Sequence, residues 1–189
     1  MFKKQTDNRV AVFFADGCEE IEGLTVVDLL FRAGIPCDMV SVSDSYQVTS
    51  SHEVTFLCNK LISEVDINAY AMLVLPGGIP GTPNLAATDS LMQAVDSFAA
   101  QEKPLAAICA APSIYAERGL LSGVRATANP GFQHVLVEKG ALLSKDPVVV
   151  DGPFITSQGA GTAVAFGLEI VRYFLGDAAV LRVCDGIAL

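Results

Sequence analysis

One cysteine, one carboxylate and a pair of glycines carry most of the chemistry that this chain could perform. Cys109 follows an apolar run, Leu105 to Ile108, and precedes Ala110, Ala111 and Pro112 in the stretch PLAAICAAPSIYAERG (104–119). A thiol at the end of a buried strand, with a helix beginning at about Pro112, stands where free N–H groups and the helix dipole favour an anion. An ordinary cysteine, with a pKa near ~8.5, is only a few per cent thiolate at neutral pH, so a helix N-terminus is expected to lower that pKa and make Cys109 a nucleophile. Ala110 and Ala111 allow a tight turn, and Pro112 fits the first helical turn, where its missing N–H has no partner to lose. The arrangement is that of a nucleophile elbow without the G-x-S-x-G pattern of serine hydrolases. The competing reading is a small buried hydrophobe, a common role for an unpaired cysteine.

Glu22 favours the chemical reading. On a helix beginning near Cys18, Glu22 shares an apolar stripe with Val26, Leu29 and Ala33. A carboxyl group on such a stripe resists ionisation and is expected to stay protonated, able to donate a hydrogen bond to a thiolate and to act as a general acid. Glu19 and Glu20 read as first-turn acids favoured by the helix dipole. Pro76-Gly77-Gly78 ends another apolar run, and the Gly77 and Gly78 N–H groups, with that of Ala110, could line an oxyanion pocket. The two histidines, His52 and His134, lie near no strand end of this kind and read as surface or packing residues. With no H-x-E after the cysteine and alanine at position 110, neither a Cys-His-Glu amidotransferase nor a Cys-His peptidase is expected.

These groups need a scaffold to bring them together, and the hydrophobic pattern supplies one. Arg9 to Ala15, Asp38 to Val42, Tyr70 to Leu75, the run ending at Ile108, Val124 to Ala128 and Phe154 to Ser157 read as strands, with further strands near Leu142 and Val148. Helices are expected over Cys18 to Ala33 with Gly34 as its stop, Thr88 to about Gln101, from Pro112, near Phe132 to Glu138, Gly161 to Leu175 and Ala178 to Cys184. Val48 to Leu57 reads as a hairpin turning at Ser50-Ser51. Strands alternating with helices imply a mostly parallel sheet covered on both faces, with ligands bound beyond the carboxyl ends of its strands. Gly17 to Glu22, Pro76 to Gly81 and Cys109 to Pro112 all fall at such ends.

Composition excludes several classes. The chain has 189 residues, 51% of them hydrophobic and 17% charged, and a formal net charge of -9, which argues against nucleic acid or an anionic membrane as the main partner. No apolar stretch approaches the ~20 residues of a membrane span. MFKKQTDNRV has no apolar segment behind its lysines, so no secretory leader is expected. Five scattered cysteines without C-x-x-C read as reduced thiols of a cytoplasmic protein and not as a disulfide framework or a zinc site.

ADGCEEIE (15–22), VLPGG (74–78), AAICAAP (106–112) and TSQGAGTA (156–163) occur in the order and spacing of the ThiJ/PfpI superfamily. From about residue 9 to 184 the chain resembles its branch containing the Parkinson's-disease-associated protein deglycase and bacterial ThiJ-like proteins. The resemblance implies a single ThiJ/PfpI-like domain over 1–189, a flavodoxin-like three-layer sandwich and a homodimer. It implies an oxidisable, low-pKa nucleophile at Cys109, Glu22 as its protonated partner, and backbone donors at Gly78 and Ala110. Glu19, Gly77 and Asn129 then belong to the pocket, with no cofactor and no metal. Members of the branch have been assigned glutathione-independent glyoxalase, protein deglycase, chaperone and oxidative-stress roles, and older labels tie them to thiazole monophosphate synthesis. Two readings follow: an enzyme in which Cys109 attacks a small reactive carbonyl of the methylglyoxal type, or a redox sensor or stress chaperone in which an oxidant converts Cys109 to a sulfinic acid.

The chain departs from the family pattern in places. Asn129-Pro130 replaces a common His-Pro, which removes a general base. Ala160 replaces a proline in the TSQGAGTA loop. Cys18 beside the acidic residues is a candidate resolving thiol for oxidised Cys109.

Overall fold

The computed structural model describes residues 2–189. Its elements run β1 (Val10–Phe14), α1 (Glu20–Ala33), β2 (Cys37–Ser41), β3 (Gln47–Thr49), β4 (Thr55–Leu57), β5 (Lys60–Leu61), β6 (Met72–Leu75), α2 (Gly81–Ala86), α3 (Asp89–Ala100), β7 (Leu105–Ile108), α4 (Pro112–Glu117), β8 (Arg125–Ala126), α5 (Gln133–Glu138), β9 (Leu142–Leu143), β10 (Val148–Asp151), β11 (Phe154–Ser157), α6 (Ala163–Leu175) and α7 (Asp177–Ile187). Seven strands form one sheet in the order β10-β11-β7-β6-β1-β2-β5. Every neighbouring pair is parallel except β10 with β11. This is the mostly parallel α/β sheet expected from the alternation of apolar runs and helices.

The uninterrupted apolar runs are explained by burial of both faces, because alternate residues enter opposite cores. Ala11, Phe13, Leu73, Leu75, Leu105 and Ala107 pack with α3 and α4 on one side. Val10, Val12, Phe14, Met72, Val74, Ala106 and Ile108 pack with α1, α6 and α7 on the other. Two helical layers thus enclose the sheet.

β1 lies between β2 and β6: the chain leaves β1 toward one edge and returns to its other side. That change of direction opens a crevice at the carboxyl ends of β1 and β6, with β7 beside them, the usual place for a ligand in an open parallel sheet. The three segments singled out in the sequence all end there.

The boundaries differ from expectation at several points. The first helix begins at Glu20, not Cys18, because Glu19 keeps an extended backbone, with φ of -86° and ψ of 109°, and its N–H is held by Gly77 O at 2.9 Å. The strand expected over 124–128 contracts to β8, and the last helix runs on to Ile187. Two elements were not anticipated. β5 is only two residues long, and α2 contains Gly81 and Pro83, which read as helix breakers although Pro83 falls in the first turn, where no intrahelical N–H bond is lost. The hairpin formed by β3 and β4 matches its expected limits closely, with antiparallel pairing of Val48 to Phe56. No helix is long and apolar enough to cross a membrane among the described residues.

Candidate functional site

Cys109 leaves the end of β7 with φ of 67°, the left-handed region that a side-chain-bearing residue enters at a cost of about 1–3 kcal/mol. Its backbone is held there from both sides: the N–H donates to Ser157 O at 3.0 Å, and the carbonyl accepts from Asn129 N–H at 2.8 Å. The sharp turn throws the side chain off the strand into the crevice, where it is half-buried. Ala110 and Ala111 are buried, and Pro112 opens α4 as expected.

Glu22 comes to the same point from α1. It is 1% exposed, with Val26, Leu29 and Ala33 buried along the same helix stripe. Oε2 accepts the Gly77 N–H at 2.8 Å, so that N–H is spent on the carboxyl and does not line the oxyanion pocket expected of it, and Oε1 has no conventional hydrogen-bond partner. Burial pushes this carboxyl up to about 7, opposed by the thiol and Gly77 N–H as donors. A protonated or half-protonated Glu22 at neutral pH agrees with the reading of its apolar stripe.

The cysteine departs from expectation. Burial, reinforced by the charge of Glu22 and by the carboxylate accepting the thiol's proton, pushes Cys109 up to about 12. The Gly78 and Ala110 N–H groups pull in the anion-stabilising direction without reversing the shift. The helix beyond Pro112 is therefore not the sole influence on the sulfur, because desolvation and a neighbouring acid act against the two backbone donors. Thiol and carboxyl form a coupled pair, and a thiolate arises when the ionised fraction of Glu22 takes the thiol's proton.

Gly77 and Gly78 fit this pair closely. A Cβ on Gly77 would lie 2.6 Å from Cys109 Cβ and 2.8 Å from Glu22 Oε2. Gly78, at φ of 95°, turns its N–H toward the cysteine sulfur, as does Ala110. Asn129 reaches the site from the segment after β8, and Gly159 from the segment after β11. A Cβ on Gly159 would lie 3.5 Å from Asn129 Nδ2, 3.8 Å from Glu22 Oε1 and 3.9 Å from Cys109 Sγ. Gly159 was missed as a site residue; its position within TSQGAGTA, in a turn after a buried strand, was the available signal.

Glu19 caps α1 beside Gly78 and is drawn outward, with Glu20, to His52 at the tip of the β3–β4 hairpin. His52 Nδ1 is 3.1 Å from Glu20 Oε2 and 3.5 Å from Glu19 Oε1. The contact raises the exposed His52 above its ordinary pKa. Sequence reading placed His52 on the surface correctly but did not foresee its approach to α1, which depends on a hairpin folding over from a separate sheet. Glu19, Glu20 and His52 also place their ligand atoms within 4.8 Å of one another, close enough to share a cation.

Burial works against the resolving role expected of Cys18. It is fully buried, its neighbouring thiol is Cys58, and desolvation pushes it up to about 12. Non-reducing peptide mapping after mild peroxide should show no Cys18–Cys109 disulfide; its appearance would require an opening of this core.

The DJ-1/PfpI family model matches residues 8–173. The chain belongs to the DJ-1/PfpI family. It is similar to Protein DJ-1 homolog B of Arabidopsis thaliana, 36% identical over 169 residues that cover 89% of this chain and 38% of that protein. The chain thus spans about two-fifths of the length of the Arabidopsis relatives it matches. Protein dj-1beta of Drosophila melanogaster is 35% identical over 179 residues, covering 93% and 94% of the two chains. The crystal structure of Drosophila DJ-1beta superposes with a TM-score of 0.92 at 31% identity, covering 97% and 99%. A relative from Schizosaccharomyces pombe, named glutathione-independent glyoxalase DJ-1, is 31% identical over 171 residues, covering 87% and 90%. These likenesses bear out the family and flavodoxin-like fold expected from the four motifs.

Proposed function

We propose that this DJ-1/PfpI chain is a cysteine-dependent enzyme acting on small reactive carbonyls of the methylglyoxal type. The observation that carries this reading is the buried Glu22 carboxyl set against the half-buried Cys109 thiol at a left-handed strand end. The name of the Schizosaccharomyces pombe relative supports the same class of activity.

In the proposed reaction, Glu22, which titrates near neutrality and acts in its ionised form, takes the thiol proton as Sγ adds to the aldehyde carbon. The carbonyl π pair moves to oxygen, which recovers that proton, leaving a hemithioacetal and an ionised Glu22. Glu22 then removes the hydrogen on the former aldehyde carbon, forming an enediolate; returning that proton to the adjacent carbon, while the hemithioacetal hydroxyl proton passes to the neighbouring oxygen, yields a lactoyl thioester and restores ionised Glu22. Water hydrolyses it to lactate and the free thiol, so methylglyoxal and water become lactate with no external oxidant or reductant. The Gly78 and Ala110 N–H groups stabilise charge on the sulfur.

Lactate formation without glutathione tests this. Cys109→Ser should lower it by roughly a thousandfold or more. Undiminished lactate formation by that variant would overturn the proposal. Exposed Ile21, Val164 and Leu189 around the groove beside α1 support pairing with a second copy.

A further inference from the structure

Asn129 lies in the segment after β8, and its orientation is set by the backbone around it. Asn129 Oδ1 accepts the Gly131 N–H at 3.0 Å, so the amide turns Nδ2 the other way. Nδ2 then lies 3.5 Å from the point where a Cβ on Gly159 would stand. Glu22 Oε1, itself without a conventional partner, and Cys109 Sγ border the same point at 3.8 and 3.9 Å. The residue is also tied directly to the nucleophile, its own N–H donating to Cys109 O at 2.8 Å. A donor, a carboxyl oxygen and a nucleophilic sulfur therefore converge on a face of Gly159 that carries no side chain.

A carboxamide is a hydrogen-bond donor that does not take up a proton at neutral pH. Asn129 consequently orients an oxygen and cannot relay protons, which leaves proton transfer to Glu22. A substrate carbon bonded to Cys109 Sγ carries its own oxygen next to the sulfur. An oxygen on the following carbon extends further, toward the Gly159 face where Nδ2 points.

We propose that the Asn129 amide binds this second oxygen, and that it makes the site selective for 1,2-dicarbonyl compounds over simple aldehydes. The inference rests on the carbonyl-capture reading above. A donor that meets one particular substrate oxygen discriminates strongly against an analogue lacking it, because the pairing is then lost within a confined site.

The test compares methylglyoxal with propanal, two three-carbon aldehydes of which only the first bears an oxygen on the second carbon. Each is used to protect Cys109 from iodoacetamide, with labelling read by peptide mass spectrometry and both affinities normalised to those of a free thiol. The normalised preference for methylglyoxal should fall about tenfold in Asn129→Ala, with propanal protection unchanged within about twofold. Asn129→Asp provides the second variant: it keeps the Oδ1 that accepts from Gly131, and so the loop, but has no donor, and it should lose the preference equally. An undiminished preference in both variants overturns the role of Asn129 and leaves carbonyl capture standing. Failure of both carbonyls to protect the parent protein overturns carbonyl capture, and this inference with it.

Discussion

Glu22→Gln is expected to make the protein more stable at pH 8 and no more stable at pH 4, while removing most turnover. The sign follows from linkage. Burial raises the Glu22 carboxyl from an ordinary 4.5 to about 7 in the folded chain. The folded state therefore binds this proton more tightly than the unfolded state does. The resulting stability is fully present below about 4.5 and is lost as pH rises through about 7. Above that, a carboxylate stands ionised in an apolar site where the thiol and the Gly77 N–H offset its burial only in part. The upper figure for the loss is about 3 kcal/mol. Glutamine removes the ionisation and keeps an oxygen for the Gly77 N–H, which now meets Glu22 Oε2 at 2.8 Å. Urea denaturation at pH 4, 6 and 8 should show a difference between variant and parent that grows with pH. A constant difference, or one that shrinks toward pH 8, would mean that burial does not govern this group. The same variant cannot accept the thiol proton, and lactate formation should fall by roughly 10²–10⁴-fold, the usual contribution of a positioned acid–base group.

The second large effect is expected at Gly78. A Cβ there would lie 2.3 Å from Glu19 N, 2.5 Å from Cys18 C and 2.6 Å from Gly17 O, and the residue adopts φ of 95°. All three obstacles are backbone, so no flexible side chain can move aside. Gly78→Ala should cost about 3 kcal/mol or more and pull the 78 N–H away from the Cys109 sulfur. Gly123→Ala is the matched comparison, since Gly123 has a similar positive φ of 75° but nothing within 4 Å of the added atom. That substitution should cost only about 1–2 kcal/mol, the ordinary penalty of the left-handed region. Denaturation midpoints of the two variants separate conformational strain from collision. Equal losses would show that close approach at Gly78 contributes nothing.

The features most legible in the sequence were those set by periodicity or by a change of periodicity. The runs around Val12, Val74 and Ala107 announced doubly buried strands because their residues serve two cores alternately. Glu22 was readable as a buried carboxyl because Val26, Leu29 and Ala33 share its helix face. Cys109 was readable as the elbow from its place between an apolar run and Pro112. What could not be read locally was the balance of electrostatics at the sulfur. Helix geometry alone favours the anion, whereas desolvation by surrounding elements and an acid from α1 disfavour it. The meeting of His52 with Glu19 and Glu20 was likewise hidden, being a contact between residues 32 or more positions apart across two sheets. The short helix α2 was masked by Gly81 and Pro83, whose propensities are overridden because the Gly81 and Thr82 N–H groups bond to Gly17 O and Gly78 O.

The manner in which Cys109 is tied also bears on how the site fails. Its backbone bonds run to Ser157 at the end of β11 and to Asn129, and β7 itself lies between β6 and β11 near the middle of the sheet. There is consequently no small hinge or lid whose opening would release the elbow alone. Amide exchange at Cys109 requires separation of the ends of β7 and β11 within the central sheet, so its protection should follow that of those strands. The reactive residue therefore shares the lifetime of those strands, and a molecule that retains its central strands retains a correctly aimed sulfur.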